Sequence, residues 1–168
     1  FMMVAYDDIF SVEYLNRKLP GYWKRNGKSF SSLIKEAASD YEKIKAECVK
    51  FDRELFSDCC AAGGKDYADL CAASYRQAVS AHKLVADLDG TPLFFSKENF
   101  SNGCIATVDV TYPSAPPFPL AAPALLKGML LPILASAAST LWKFYSAPHD
   151  PGTYPLANGQ VYGGGEDT

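Results

Sequence analysis

A mainly α-helical chain is predicted by three features of the sequence. Apolar residues recur at spacings of three and four over residues 29–61, the same rhythm returns over 66–88, and Gly63-Gly64 separates the two runs. Helices joined by so short a connection are expected to lie antiparallel. Around this pair the sequence predicts an N-terminal extended segment and a short β-hairpin or ordered loop.

In the N-terminal segment, Phe10, Val12 and Tyr14 alternate with Ser11 and Glu13, a period of two that reads as strand. Asp7-Asp8 and Pro20-Gly21 punctuate it as turns, and residues 1–27 read as extended. The first helix carries Phe30, Leu33, Ile34, Ala37, Tyr41 and Ile44 on one face and a charged face opposite. Ser29 or Ser31 can accept from its otherwise unpaired first N–H groups. Tyr67, Leu70, Ser74, Ala78, His82 and Val85 form the stripe of the second helix, and Asp89-Gly90 follows as a turn. Leu93 to Phe95 and Ile105 to Val108 read as short strands flanking the polar loop 96–103, with Pro113, Pro116, Pro117, Pro119 and Pro123 excluding a regular helix over 113–123. A third helix is expected over 123–141, started by Pro123, kinked or split by Pro132, and fully buried. Its prolines and Lys127 argue against a membrane span. Residues 147–168 read as a Gly/Pro-rich loop.

The composition is that of a globular protein: 168 residues, 48% hydrophobic and 21% charged. A net charge of -3 with no basic patch speaks against nucleic-acid binding. Five cysteines occur without a C-x-x-C pair, and there are two histidines. No metal site, cofactor or disulfide framework is indicated by that pattern.

Several blocks resemble the glutaminase A family: Tyr6-Asp7-Asp8, AVSAHKLVAD from Ala78, LFFSKENFSNG from Leu93, TVDVTYP from Thr107, and APHDPGTYPLANGQVYGGG from Ala147. Their order and spacing match the family over nearly the whole chain. The resemblance implies a parent with a β-rich upstream domain followed by a six-hairpin (α/α) toroid. Residues 1–28 would be the connector from the upstream domain, and 29–168 the opening hairpins and loops of an incomplete toroid. It further implies an extracytoplasmic hydrolase converting L-glutamine to L-glutamate and ammonia in the parent, with this piece inactive alone. A departure occurs at His149-Asp150-Pro151-Gly152, where the family usually has Leu or Val in place of Pro151. The alternatives are a six-hairpin protein acting on carbohydrate and a non-catalytic structural or interaction module.

Amide hydrolysis needs a nucleophile or activated water, a proton donor for ammonia, and donors for the oxyanion. Paired carboxylates can instead serve glycoside hydrolysis. The catalytic candidates are Glu98, Asp109 and Asp150; the substrate-binding candidates are Asn99, Asn102, His149, Tyr154 and Asn158. Against these roles, Asn and Ser in loops commonly satisfy turn backbone. Asn99-Phe100-Ser101 also fits a glycosylation sequon. His82 reads as a core histidine. The expected partners are the remainder of the parent polypeptide and a small amide or carbohydrate substrate. The apolar run 125–134 also predicts self-association centred on Leu126, Leu130 and Ile133.

Overall fold

The computed structural model describes residues 2–98 and 100–162. They fall into two units, one formed by residues 2–7 and 28–79 and the other by 8–27 and 80–162.

The first unit is built on α1 (Phe30–Ser80), a helix broken at Gly64 (φ 82°, ψ −178°). Few residues other than glycine reach that conformation. The ring of Phe51 lies 5.3 Å from that of Tyr75. In an unbroken helix residues so far apart in sequence would be separated by roughly 36 Å at 1.5 Å per residue. The two arms therefore fold back on one another as the expected antiparallel pair. Gly63 makes the reversal tight, since a Cβ there would meet the Tyr67 ring at 2.6 Å. Ser29 caps the first arm, its Oγ accepting from Ser32 N at 3.1 Å. Lys43–Glu47, Lys50–Glu54 and Lys65–Asp69 pair one turn apart on exposed surface, where such pairs add little.

The second arm of α1 ends at Ser80, not near residue 88. His82–Ala86 is strand β3, paired antiparallel with β4 (Pro92–Ser96) through the Asp89-Gly90 turn. The sequence reading placed His82 and Val85 on a helical face. Both are buried, but on a strand whose pairing partner lies only a short turn away. The expected hairpin between 93–95 and 105–108 is thus replaced by β3–β4, and Ile105 keeps a single bridge to Lys97. His82 stacks on Phe94 at 4.4 Å, with Phe118 edge-on to both, as a core histidine does.

β1 (Val12–Tyr14) and β2 (Arg17–Leu19) form a hairpin, and β1 pairs in parallel with β5 (Leu156–Ala157). Val12, Tyr14, Leu19, Val85, Leu93, Phe95, Ile105, Ala106 and Ala157 make the core, with Leu131 packed against it.

Two prolines behave differently from expectation. α2 (Val108–Ser114) carries Pro113 in its last turn, and a short α3 (Phe118–Ala121) follows, so the proline-rich stretch does contain helix. α4 (Pro123–Ala137) starts at Pro123 as expected, but Pro132 does not split it and it stops short of residue 141. Packing holds it: Gly128, Met129, Pro132, Ile133 and Ser136 are buried. Gly128 brings the helix onto β4, where a Cβ would come within 2.9 Å of the Pro92 carbonyl. The expectation of full burial fails at Leu130 and Leu134, which are 42% and 61% exposed. Ile133 faces the core and is unsuited to centre an association surface. Among the described residues no helix is long and apolar enough to cross a membrane.

Candidate functional site

Two loops of the second unit are zipped together by backbone hydrogen bonds. Tyr154 N donates to Gly103 O at 2.8 Å, Ile105 N to Gly152 O at 3.0 Å, and Val108 N to His149 O at 3.0 Å. Each loop is shaped locally. Asn102 Oδ1 accepts from Cys104 N at 2.9 Å, an Asx turn completed by Gly103 at φ 76°. Gly152 takes φ 141°, and a Cβ there would stand 2.5 Å from Leu156 O.

The zipper puts His149 between two carboxylates. Its Nδ1 lies 2.9 Å from Asp150 Oδ2 and its Nε2 lies 3.5 Å from Asp109 Oδ1. Asp150 is 1% exposed, and its other oxygen accepts from Gly152 N at 2.8 Å. Both of its oxygens are engaged by protein, so its geometry suits orienting the imidazole more than meeting a substrate. Asp109, in the first turn of α2, is 68% exposed on its side chain. His149 N donates to Gln160 Oε1 at 2.8 Å, which fixes the backbone behind the ring.

The electrostatics follow from this arrangement. The hydrogen bond to Asp150 raises the His149 pKa above its ordinary value; burial opposes it, and the charges of Asp109, Asp150 and Glu98 reinforce it. Cys104 is wholly buried, and burial together with the hydrogen bond and charge of Asp150 pushes its thiol up to about 12. It is therefore a neutral donor to that carboxylate and no nucleophile.

Glu98 accepts from Ser101 Oγ, while its Oε2 is buried without a protein partner, as is Thr107 Oγ1. Tyr154 lies under the Lys97 ammonium at 5.2 Å from the ring centroid. Asn158 is engaged elsewhere: its Oδ1 accepts from Asn16 N at 2.7 Å and its Nδ2 donates to Glu13 Oε1 at 2.8 Å. Asn99 lies outside the described residues. The structure thus brings together His149, Asp150, Asp109 and Glu98. It gives Asn102 and Asn158 backbone-fixing contacts. Cys104 and Gln160 are contributors that sequence reasoning missed; neither carries a local signal, since each acts through a contact made only by the fold. Among the described residues no group of three or more His, Cys, Asp or Glu is placed to hold a metal ion.

The comparisons with known proteins agree with one another. Residues 64–168 match the family model described as "Glutaminase A six helical-hairpin domain", and residues 1–58 match "Domain of unknown function (DUF5127)". The chain is 32% identical over 149 residues to "Glutaminase A" of Aspergillus oryzae, covering 88% of this chain and 21% of that protein. It is 30% identical over 132 residues to a protein of Arthroderma benhamiae named "Probable glutaminase", covering 79% of this chain and 15% of that protein. The chain thus spans about a fifth or less of the length of these relatives. No solved structure matches it.

Proposed function

Since the chain belongs to the glutaminase A six helical-hairpin family, we propose that it contributes a proton-transfer group to a longer protein that hydrolyses the side-chain amide of L-glutamine. The observation that carries this reading is His149 held between buried Asp150 and exposed Asp109. Asp150 accepts from Nδ1–H and leaves the Nε2 edge, beside Asp109, for exchange. In hydrolysis the neutral imidazole takes a proton from the attacking water. The imidazolium, stabilised by both carboxylates, then returns it to the departing nitrogen. The products are L-glutamate and ammonia, and the ring ends as it began.

The whole activity is proposed for the longer protein. Alone, the 168-residue chain is expected to give no measurable glutamine turnover. The test is ammonia release from glutamine by the full-length protein and its His149→Asn variant. Loss of kcat by about 100-fold or more, with KM little changed, supports the role. Unchanged kcat in a folded variant sinks it.

A further inference from the structure

A pocket of about 320 Å³ opens in the second unit, where the β3–β4 turn and the end of β1 meet α4. Its floor is apolar. Tyr14 and Leu93 reach it from the core, both nearly fully buried. Leu131 and Ala135 line it from α4, four residues apart and so on one helical face. Lys127 stands on that same face one turn earlier and is exposed at the rim.

Four charged side chains share the pocket, and two of them satisfy each other. Arg17 Nη1 donates to Asp87 Oδ1 at 2.7 Å, with the guanidinium 5.5 Å from the centroid of the Tyr14 ring. Lys127 and Asp89 are left over. Both line the pocket, and among the described residues neither forms an ion pair. Asp89 Oδ1 accepts from Thr91 N at 2.9 Å, and that bond holds its carboxyl below the ordinary value. The pocket therefore presents one unanswered cation and one unanswered anion above an apolar floor.

We propose that this pocket binds a free α-amino acid with an apolar side chain. Its carboxylate meets Lys127, its ammonium meets Asp89, and its side chain lies on Leu131 and Ala135. The leftover charges decide the class. A simple anion answers Lys127 and is repelled by Asp89; a simple cation meets the reverse. A zwitterion carries both charges on neighbouring atoms and answers both. The apolar floor then selects the side chain, since a polar one would lose water there without a partner. The volume is at the small end of ligand sites, which suits a molecule of this size. Ion pairs at an exposed rim are weak, so the affinity is modest. No residue of the pocket belongs to the group around His149, and the inference is independent of the role given to that residue.

The test is an NMR titration of the chain with L-norvaline, which has no side-chain amide to hydrolyse. The expected result is saturable shifts at Thr91, Leu93 and Leu131, with a Kd at or below roughly 1 mM. Pentanoate, which lacks the ammonium, and butylamine, which lacks the carboxylate, should each bind at least about threefold more weakly. Lys127→Gln and Asp89→Asn should each raise the Kd for norvaline at least about threefold. Asparagine keeps an oxygen for Thr91 N, so the turn survives and only the charge is lost. A melting midpoint equal to the parent's confirms that each variant is folded. Absence of saturable shifts, shifts confined to the loops around His149, pentanoate or butylamine binding as tightly as norvaline, or an unchanged Kd in the folded Lys127→Gln or Asp89→Asn protein overturns the proposal.

Discussion

The hydroxyl of Tyr14 donates to the carbonyl of Pro132 across a 2.7 Å hydrogen bond. It ties β1 to the middle of α4. Tyr14 is 1% exposed, with its ring edge-on to Phe95 at 5.3 Å, so the hydroxyl needs a protein partner. The Pro132 carbonyl of α4 supplies one. Burial pushes the phenol up to about 12.

Tyr14→Phe removes this bond while keeping the ring. Urea unfolding should show a loss of about 1 kcal/mol with an unchanged m value. Tyr14→Ala should cost about 3–5 kcal/mol, because it also empties the core. A Phe variant as stable as the parent would show the bond to be energetically idle.

His149 holds its proton more tightly in the folded chain than in the unfolded one, because Asp150 accepts from it. The stabilisation from the charged pair is therefore fully present below the unfolded value near 6.5 and is lost as pH rises through the folded value. The stability difference between the parent and His149→Gln should shrink along that path. NMR titration of the ring should give a folded pKa above the ordinary value, falling in Asp150→Asn. A difference that grows with pH would reverse the assignment.

Gly152→Ala places a methyl against Leu156 O and Ala157 Cα at a φ that side chains avoid. It should destabilise the chain by about 2 kcal/mol or more. It should also move the His149 pKa back toward its ordinary value, since Gly152 N is what anchors Asp150. Thermal melting and ring titration on the same sample check both parts.

Leu130 and Ile133 are one turn apart on α4 but differ in burial, at 42% and 8% exposed. Ile133→Glu should unfold the second unit, as it buries a charge with no partner. Leu130→Glu should leave the melting midpoint within about 1 °C. Light scattering of the parent and of Leu130→Glu then shows whether that exposed face associates.

The helical hairpin was legible in the sequence because a charged face and an apolar stripe repeat on both sides of Gly63-Gly64, and only a reversal places both. Its end was not legible. Residues 81–86 contain no breaker, and His82 and Val85 fit a helical spacing as well as they fit a strand. The deciding partner, β4, reaches them through an Asp89-Gly90 turn that the sequence does show. Thr107 to Tyr112 misleads in the other direction, because β-branched residues favour strands. There the backbone closes as helix once Val108 N is taken by His149 O. At the site, His149 beside Asp150 could be read from adjacency. Asp109 and Cys104 join them only through the zipper of backbone bonds, which has no sequence signature.

The parallel pairing of β1 with β5 has a consequence for how the chain leaves the ribosome. Asn158 reaches back 145 positions to Glu13, and β1 gains its second neighbour only when Leu156 and Ala157 have been made. At the usual pace of translation that is a delay on the order of ten seconds. The arms of α1, whose contacts are local, can close during that interval. β1 meanwhile presents a bare edge, open to pairing with any other extended segment. The nascent chain is thus most exposed to misassembly in the part that later carries His149, and least in the part that emerges folded ahead of it.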